Sequence, residues 1–160
     1  MHNAIDHNSE QPSLFFTHGS GYGKLAWKHR ENSKFKFIDL FAGIGGFRLA
    51  LEGKSADCVF SSEWDTDSQK TYQENFGEKP FGDINMIMIR NMPDFDILAA
   101  GFPCQPFSYA GKKNGLKDSK NGHLFFEILR LLNDNHPKMF LLENVKGIKS
   151  LEKGNTLKKI

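Results

Sequence analysis

Apolar and polar positions along this chain follow two different periods, and the switches between them mark out its elements. Phe35-Lys36-Phe37-Ile38-Asp39-Leu40 reads as a strand running into the glycine cluster Gly43-Ile44-Gly45-Gly46. Phe47, Ala50 and Leu51 then fall at helical spacing, with Gly53 as a stop. Cys58-Val59-Phe60-Ser61 makes a second short strand that ends at Glu63, and Asp65 is placed to cap a helix reaching about Asn75. Pro80 to Asp83 predicts a third short strand, and Asp96-Ile97-Leu98-Ala99-Ala100 a fourth. A further helix, from about Gly122 to Asn135, is apolar at Leu124, Phe125, Ile128, Leu129, Leu131 and Leu132, and Pro137 prevents its continuation. Met139-Phe140-Leu141-Leu142 is a fifth strand.

Strands alternating with helices imply βαβ crossovers, an α/β fold and a parallel sheet with helices on both faces. In such sheets ligands bind outside the carboxyl ends of the strands. Asp39 to Gly46, Glu63, Asp83, Gly101 to Gln105 and Glu143 to Val145 all lie at or just past predicted strand ends, so polar and glycine-rich residues converge on one rim. Residues 1–33 differ from the rest. They are rich in Asn, His, Ser and Gly without sustained periodicity and read as a polar appendage, leaving 34–160 as the folded domain.

Composition narrows the class. A chain of 160 residues with 39% apolar and 25% charged residues fits one soluble globular domain. No apolar run approaches the roughly 18 residues of a membrane span. Met1 to Glu10 lacks the basic-then-apolar pattern of a signal peptide, so a cytoplasmic location is expected. Cys58 and Cys104 belong to no CxxC pair, which suggests neither a zinc site nor a disulfide framework and leaves room for a free nucleophile. Net charge is +2, but unevenly spread: residues 34–103 hold seven bases and eleven acids, residues 104–160 eleven bases and five acids. The basic half fits an anionic partner, or simply a lysine-rich solvated surface.

The rim residues suggest particular chemistry. Gly43, Gly45 and Gly46, between a strand and a helix, let a ligand approach the backbone; a tight connection alone would also need them. Glu63, twenty residues after Gly43, stands where an acid commonly accepts from ribose hydroxyls, with Trp64 beside it for an adenine face. Asp83 is a candidate for the adenine amino group, or a turn cap. Arg48 occupies the third glycine position of the dinucleotide fingerprint, which favours S-adenosylmethionine over NAD. Gly101-Phe102-Pro103-Cys104-Gln105-Pro106-Phe107-Ser108 puts a thiol just past a core strand, where a loop position suits reactivity better than packing. The segment from Gln105 to Asn121, with Lys112, Lys113, Lys117 and Lys120, suits phosphate contact and closure over a substrate, or is a solvated surface loop.

Six ordered segments then resemble the cytosine-C5 DNA methyltransferases. They are Asp39-Leu40-Phe41-Ala42-Gly43-Ile44-Gly45-Gly46, Glu63-Trp64-Asp65, Gly82-Asp83-Ile84, the Gly101 to Ser108 run, Gly122-His123-Leu124-Phe125 and Glu143-Asn144-Val145. The resemblance spans about residues 35 to 160 and implies a Rossmann-like methyltransferase fold using S-adenosylmethionine. It implies cofactor binding by Phe41, Ala42, Gly43, Ile44, Gly45, Gly46, Glu63, Trp64, Asp83, Ile84, Pro103 and Leu124. Cys104 would be the nucleophile and Glu143, raised in pKa by burial, its partner on the base. Gln105, Ser108, Lys112, Lys113, Asn144 and Val145 would face a flipped cytosine and its DNA.

Such enzymes continue beyond the sixth motif and build a seven-stranded sheet. The chain is therefore expected to be a truncated, cofactor-binding and nucleophile-bearing part that needs further C-terminal residues or a partner half, with a cognate restriction endonuclease as a further partner. Alternatives are a non-catalytic cofactor- and DNA-binding remnant, a tRNA-directed cytosine methyltransferase and a nucleotide-dependent oxidoreductase.

Overall fold

A computed structural model describes residues 32–103 and 124–159. Strands β1 (Phe35–Leu40), β2 (Ala56–Ser62), β3 (Ile97–Gly101) and β4 (Met139–Glu143) pair in parallel, in the order β2-β1-β3-β4. Between and after them lie α1 (Gly46–Glu52), α2 (Thr66–Phe76), α3 (Leu124–Asn135) and α4 (Asn155–Lys159).

Over β1, β2 and β3 both faces of the sheet are covered, because these strands alternate their side chains between two apolar layers. Ile38 and Leu40 of β1, Phe60 of β2, and Leu98 and Ala100 of β3 form one layer, closed by Phe125, Ile128 and Leu131 of α3 with Ile84 and Met92. On the opposite face Phe37, Ala56 and Cys58 take Leu51 of α1. Tyr72 of α2 approaches Cys58 on that side, its hydroxyl 3.9 Å from the thiol sulfur. The expected α/β architecture with helices on both faces is present.

Helix boundaries follow local chemistry. Asp65 caps α2 by accepting from the Ser68 N–H at 2.8 Å. Gly77, left-handed at φ 73, closes the helix by donating its N–H to the Gln73 carbonyl. The expected stop of α1 at Gly53 is also observed.

The third expected strand does not form. Phe81 makes only an isolated bridge to Ser62, flanked by its N–H to the Ser61 carbonyl and the Glu63 N–H to its own carbonyl. Pro80 has no N–H to offer a ladder. Asp83 turns the chain into a 3-10 helix, Ile84–Met86, before a second bridge can follow. The segment still packs, with the Phe81 ring stacked on Phe60 at 5.0 Å.

Among the described residues no helix is long and apolar enough to cross a membrane.

Candidate active site

The chain moves outward from β1 to β2, then returns past β1 to build β3 on its other side. Connections leave the carboxyl ends of β1 and β3 in opposite directions there, which opens a crevice. The glycine turn after β1 and the Gly101-Phe102-Pro103 segment after β3 flank it.

The turn is left-handed at Phe41 (φ 56), Gly43 (φ 55) and Gly45 (φ 95). Its glycines are required for different reasons. A Cβ on Gly45 would collide with the Phe76 ring of α2, so this glycine serves packing. A Cβ on Gly43 or Gly46 would meet nothing within 4 Å, so these two leave bare backbone facing open space. Phe41 holds its left-handed backbone without glycine's freedom, at a cost on the order of 1 kcal/mol or more, as functional turns often do.

Glu63 is buried at the end of β2, and both carboxylate oxygens are engaged. Oε2 accepts from the Gly43 N–H and Oε1 from the Asp65 N–H, each at 2.8 Å. The Gln69 side-chain amide donates to the Glu63 carbonyl. Glu63 thus ties the glycine turn to β2, while each oxygen keeps a second lone pair for a ligand hydroxyl. Ala42, also buried, donates its N–H to the Ser62 carbonyl. Trp64 and Ile44 stand out at the rim, 73% and 59% exposed. Asp83 is exposed and caps its 3-10 turn, Oδ1 accepting from the Asn85 N–H at 2.9 Å. The Ile84 side chain belongs to the core.

Across the crevice Glu143 pairs in register with Gly101. A Cβ on Gly101 would lie 3.5 Å from Glu143 Oε2 and 3.6 Å from the Phe47 ring of α1, so the acid and the first turn of α1 meet over this glycine. Glu143 is exposed, and the burial expected of it is not built by the described residues. Asn144 donates from Nδ2 to the Phe102 carbonyl at 2.9 Å, and its Oδ1 accepts from the Val145 N–H at 2.9 Å. It therefore holds the peptide that leads into Pro103. The Phe102 ring is buried against Phe125, next to half-buried Leu124 at the start of α3. Pro103 and Val145 are half-buried as well.

Cys104, Gln105, Ser108, Lys112 and Lys113 lie outside the described residues. The other cysteine is accounted for: Cys58 is buried in β2, and burial pushes its thiol up to about 12, which denies it the thiolate a nucleophile needs.

Three further residues support the site that sequence reasoning did not assign. Asp39 is fully buried in β1, two residues before the turn. Burial raises its pKa to about 7, opposed only in part by the Arg48 amide and guanidinium. Its sequence signal was a carboxylate inside an apolar strand. Asn75 and Phe76, at the end of α2, touch the turn itself and gave no sequence signal.

Bare backbone at Gly43 and Gly46, the Glu63 carboxylate bound to the turn and the exposed Trp64 indole stand just past the ends of β1 and β2. The parallel sheet and its switch point are those of the Rossmann-like methyltransferases. Two solved structures share the fold: the Dnmt2 methyltransferase of S. pombe (TM-score 0.59, 26% identity, 79% of this chain and 41% of that one) and a prophage-encoded DNA modification methyltransferase from E. coli (TM-score 0.62, 26% identity, 79% and 36%). The C-5 cytosine-specific DNA methylase family matches residues 35–160, and the chain belongs to that family. Its curated relatives include the Type II methyltransferases M.HhaI of Haemophilus parahaemolyticus, 53% identical over 130 residues, and M.HaeII of Haemophilus aegyptius, 58% identical over 127. The matches take in 81% and 79% of this chain but only 39% and 40% of those relatives.

Proposed function

We propose that this chain supplies the cofactor-binding and nucleophile-bearing part of an enzyme that methylates cytosine C5 in DNA, with S-adenosylmethionine as methyl donor. The meeting of the open glycine turn, Gly101 and Glu143 at one switch point supports this reading most directly. Phe41 to Gly46, Glu63, Trp64, Asp83, Ile84, Pro103 and Leu124 would hold the cofactor. Bound there, S-adenosylmethionine supplies an electrophilic methyl group.

Cytosine C5 is too weak a nucleophile to take that group unaided. Cys104, as thiolate, adds to C6 and drives electron density onto C5, so one hard step becomes two easier ones. Glu143 would face N3 as negative charge gathers there. Once C5 carries the methyl group, its proton leaves to a base, the ring recovers its double bond and Cys104 departs with its electron pair. Asn144, by holding the Phe102 carbonyl, fixes where the Pro103-Cys104 segment starts. Gln105, Ser108 and Val145 would border the base, which must leave the duplex stack to be reached. Lys112 and Lys113 would meet phosphates.

A complementary C-terminal segment or half completes the enzyme in this reading. The relatives' extra length and the uncovered apolar side chains of β4 support it. A cognate restriction endonuclease is the further expected partner, by analogy with the Type II relatives.

The test incubates the chain, together with such a half, with S-adenosylmethionine and DNA carrying 5-fluorocytosine. A covalent protein–DNA adduct is expected, and Cys104→Ser should abolish it. Binding of both ligands without an adduct would overturn the role of Cys104.

A further inference from the structure

Besides Glu63 on the Gly43 N–H and the Ser62 carbonyl on the Ala42 N–H, the glycine turn is met from outside its own strand and helix by the last two residues of α2. Asn75 donates from Nδ2 to the Ile44 carbonyl at 3.0 Å. Phe76 sets its ring in the space that a Cβ on Gly45 would occupy. That ring is itself held. The Arg48 guanidinium lies 4.7 Å from its centroid, and the Tyr72 ring packs against it at 4.7 Å.

Arg48 is fixed in turn, by Glu52 at 2.9 Å, Glu78 at 2.7 Å and the Tyr72 hydroxyl at 3.2 Å. The cluster joins α1, α2 and the residue pair after α2, so the turn rests on a buried charged and aromatic base. The consequence is geometric. Orienting the Ile44 carbonyl fixes the plane of the Ile44–Gly45 peptide. The Gly45 N–H then bonds the Ala42 carbonyl at 2.8 Å, and Gly45 accepts from the Leu49 N–H to start α1. Two left-handed glycines would otherwise give this turn several backbone choices.

We propose that Asn75 and Phe76 are positioning residues for the cofactor turn: from the end of α2 they select the one backbone shape that presents Gly43 and Gly46 to the ligand. The proposal rests on S-adenosylmethionine as the turn's ligand, and it assigns specific work to residues outside every segment that carries the family resemblance. A turn already in shape pays no ordering cost on binding, so losing the brace weakens affinity without touching a contact atom.

The experiment titrates the full chain with S-adenosylmethionine by calorimetry. Asn75→Ala should weaken binding about two- to tenfold, the range one such hydrogen bond carries. Asn75→Asp, equal in size but turning an acceptor toward a carbonyl, should do at least as much. Phe76→Leu, which keeps an apolar side chain but not the ring, should also weaken it.

Asn135→Ala is the matched control. It removes an identical amide-to-carbonyl bond, Nδ2 to the Leu131 carbonyl at 3.0 Å, at the far end of α3, and should leave affinity unchanged for a similar loss of melting temperature. Amide exchange at Gly45 and Leu49 is the readout independent of ligand, and both Asn75 variants should speed it. If wild type binds no S-adenosylmethionine, the cofactor reading fails, and exchange alone decides whether the brace exists. Wild-type affinity and unchanged exchange in both Asn75 variants would overturn the proposal.

Discussion

Strands β1 and β4 are both short apolar segments of one parallel sheet, yet their surroundings are opposite. Phe37, Ile38, Asp39 and Leu40 of β1 are entirely buried, whereas Met139, Phe140 and Leu141 of β4 are 59%, 58% and 44% exposed. The central strand has neighbours on both edges and helices on both faces. Among the described residues β4 has one neighbouring strand, and of its five side chains that of Leu142 packs against the core. An apolar strand earns its place in a sheet from its backbone, but its stability contribution depends on what covers it. In β1 the cover is complete enough to force a carboxylate, Asp39, out of water. In β4 it leaves the acid Glu143 open at the rim and three large apolar residues exposed.

Substitutions in the two strands should sharpen this contrast. Leu40→Ala should cost about 2–5 kcal/mol of unfolding free energy, the range for truncating a buried leucine. Urea denaturation checks it, and a loss below about 1 kcal/mol would break the comparison. A smaller but pH-dependent effect is expected at Asp39. Its folded pKa, raised to about 7, means that its contribution favours the fold below about pH 4 and is lost as pH rises through about 7.

Asp39→Asn cannot ionise, so the wild-type minus variant stability should fall by a few kcal/mol between those pH values. A difference independent of pH would show that Asp39 is paired or hydrated in solution. Where the ends of β3 and β4 meet, Asn144→Ala should cost about 1 kcal/mol through the freed Phe102 carbonyl, and should change the rate at which Cys104 is alkylated. Cys58 should stay unreactive in the native protein throughout, by peptide mapping after brief alkylation. Phe140→Thr should have the smallest effect, within about 0.5 kcal/mol, while reducing self-association in light scattering. If it destabilised as much as Leu40→Ala, β4 would be covered after all.

The architecture was legible where local rules suffice. The strand at Phe35–Leu40, the Asp65 cap and the Pro137 stop all match, because each depends on a few neighbouring residues. Pro80 to Asp83 misled for the same reason. Its apolar residue and flanking turn residues look like a strand, but a proline without an N–H and an aspartate that caps a turn leave one bridge. The candidate site was legible as a set of strand-end residues, since the carboxyl ends of a parallel sheet collect function. Their individual roles were less so. The sequence suggests a ribose for Glu63, and the structure shows its carboxylate on the Gly43 and Asp65 amides.

The sequence by itself determined the strand and helix alternation, the glycine turn, the acid at the end of the second strand and the family resemblance. Periodicity, capping and motif order are local properties that need no fold to be read. Only the tertiary structure decided the order β2-β1-β3-β4, which brings Gly43 and Gly101 to one crevice from 58 positions apart. It also decided that Gly45 is bare for Phe76 and Gly43 for open space, that Asp39 is buried beside Arg48, and that β4 remains exposed. Those are statements about which distant side chains and strands become neighbours, and a linear pattern carries no distances between them.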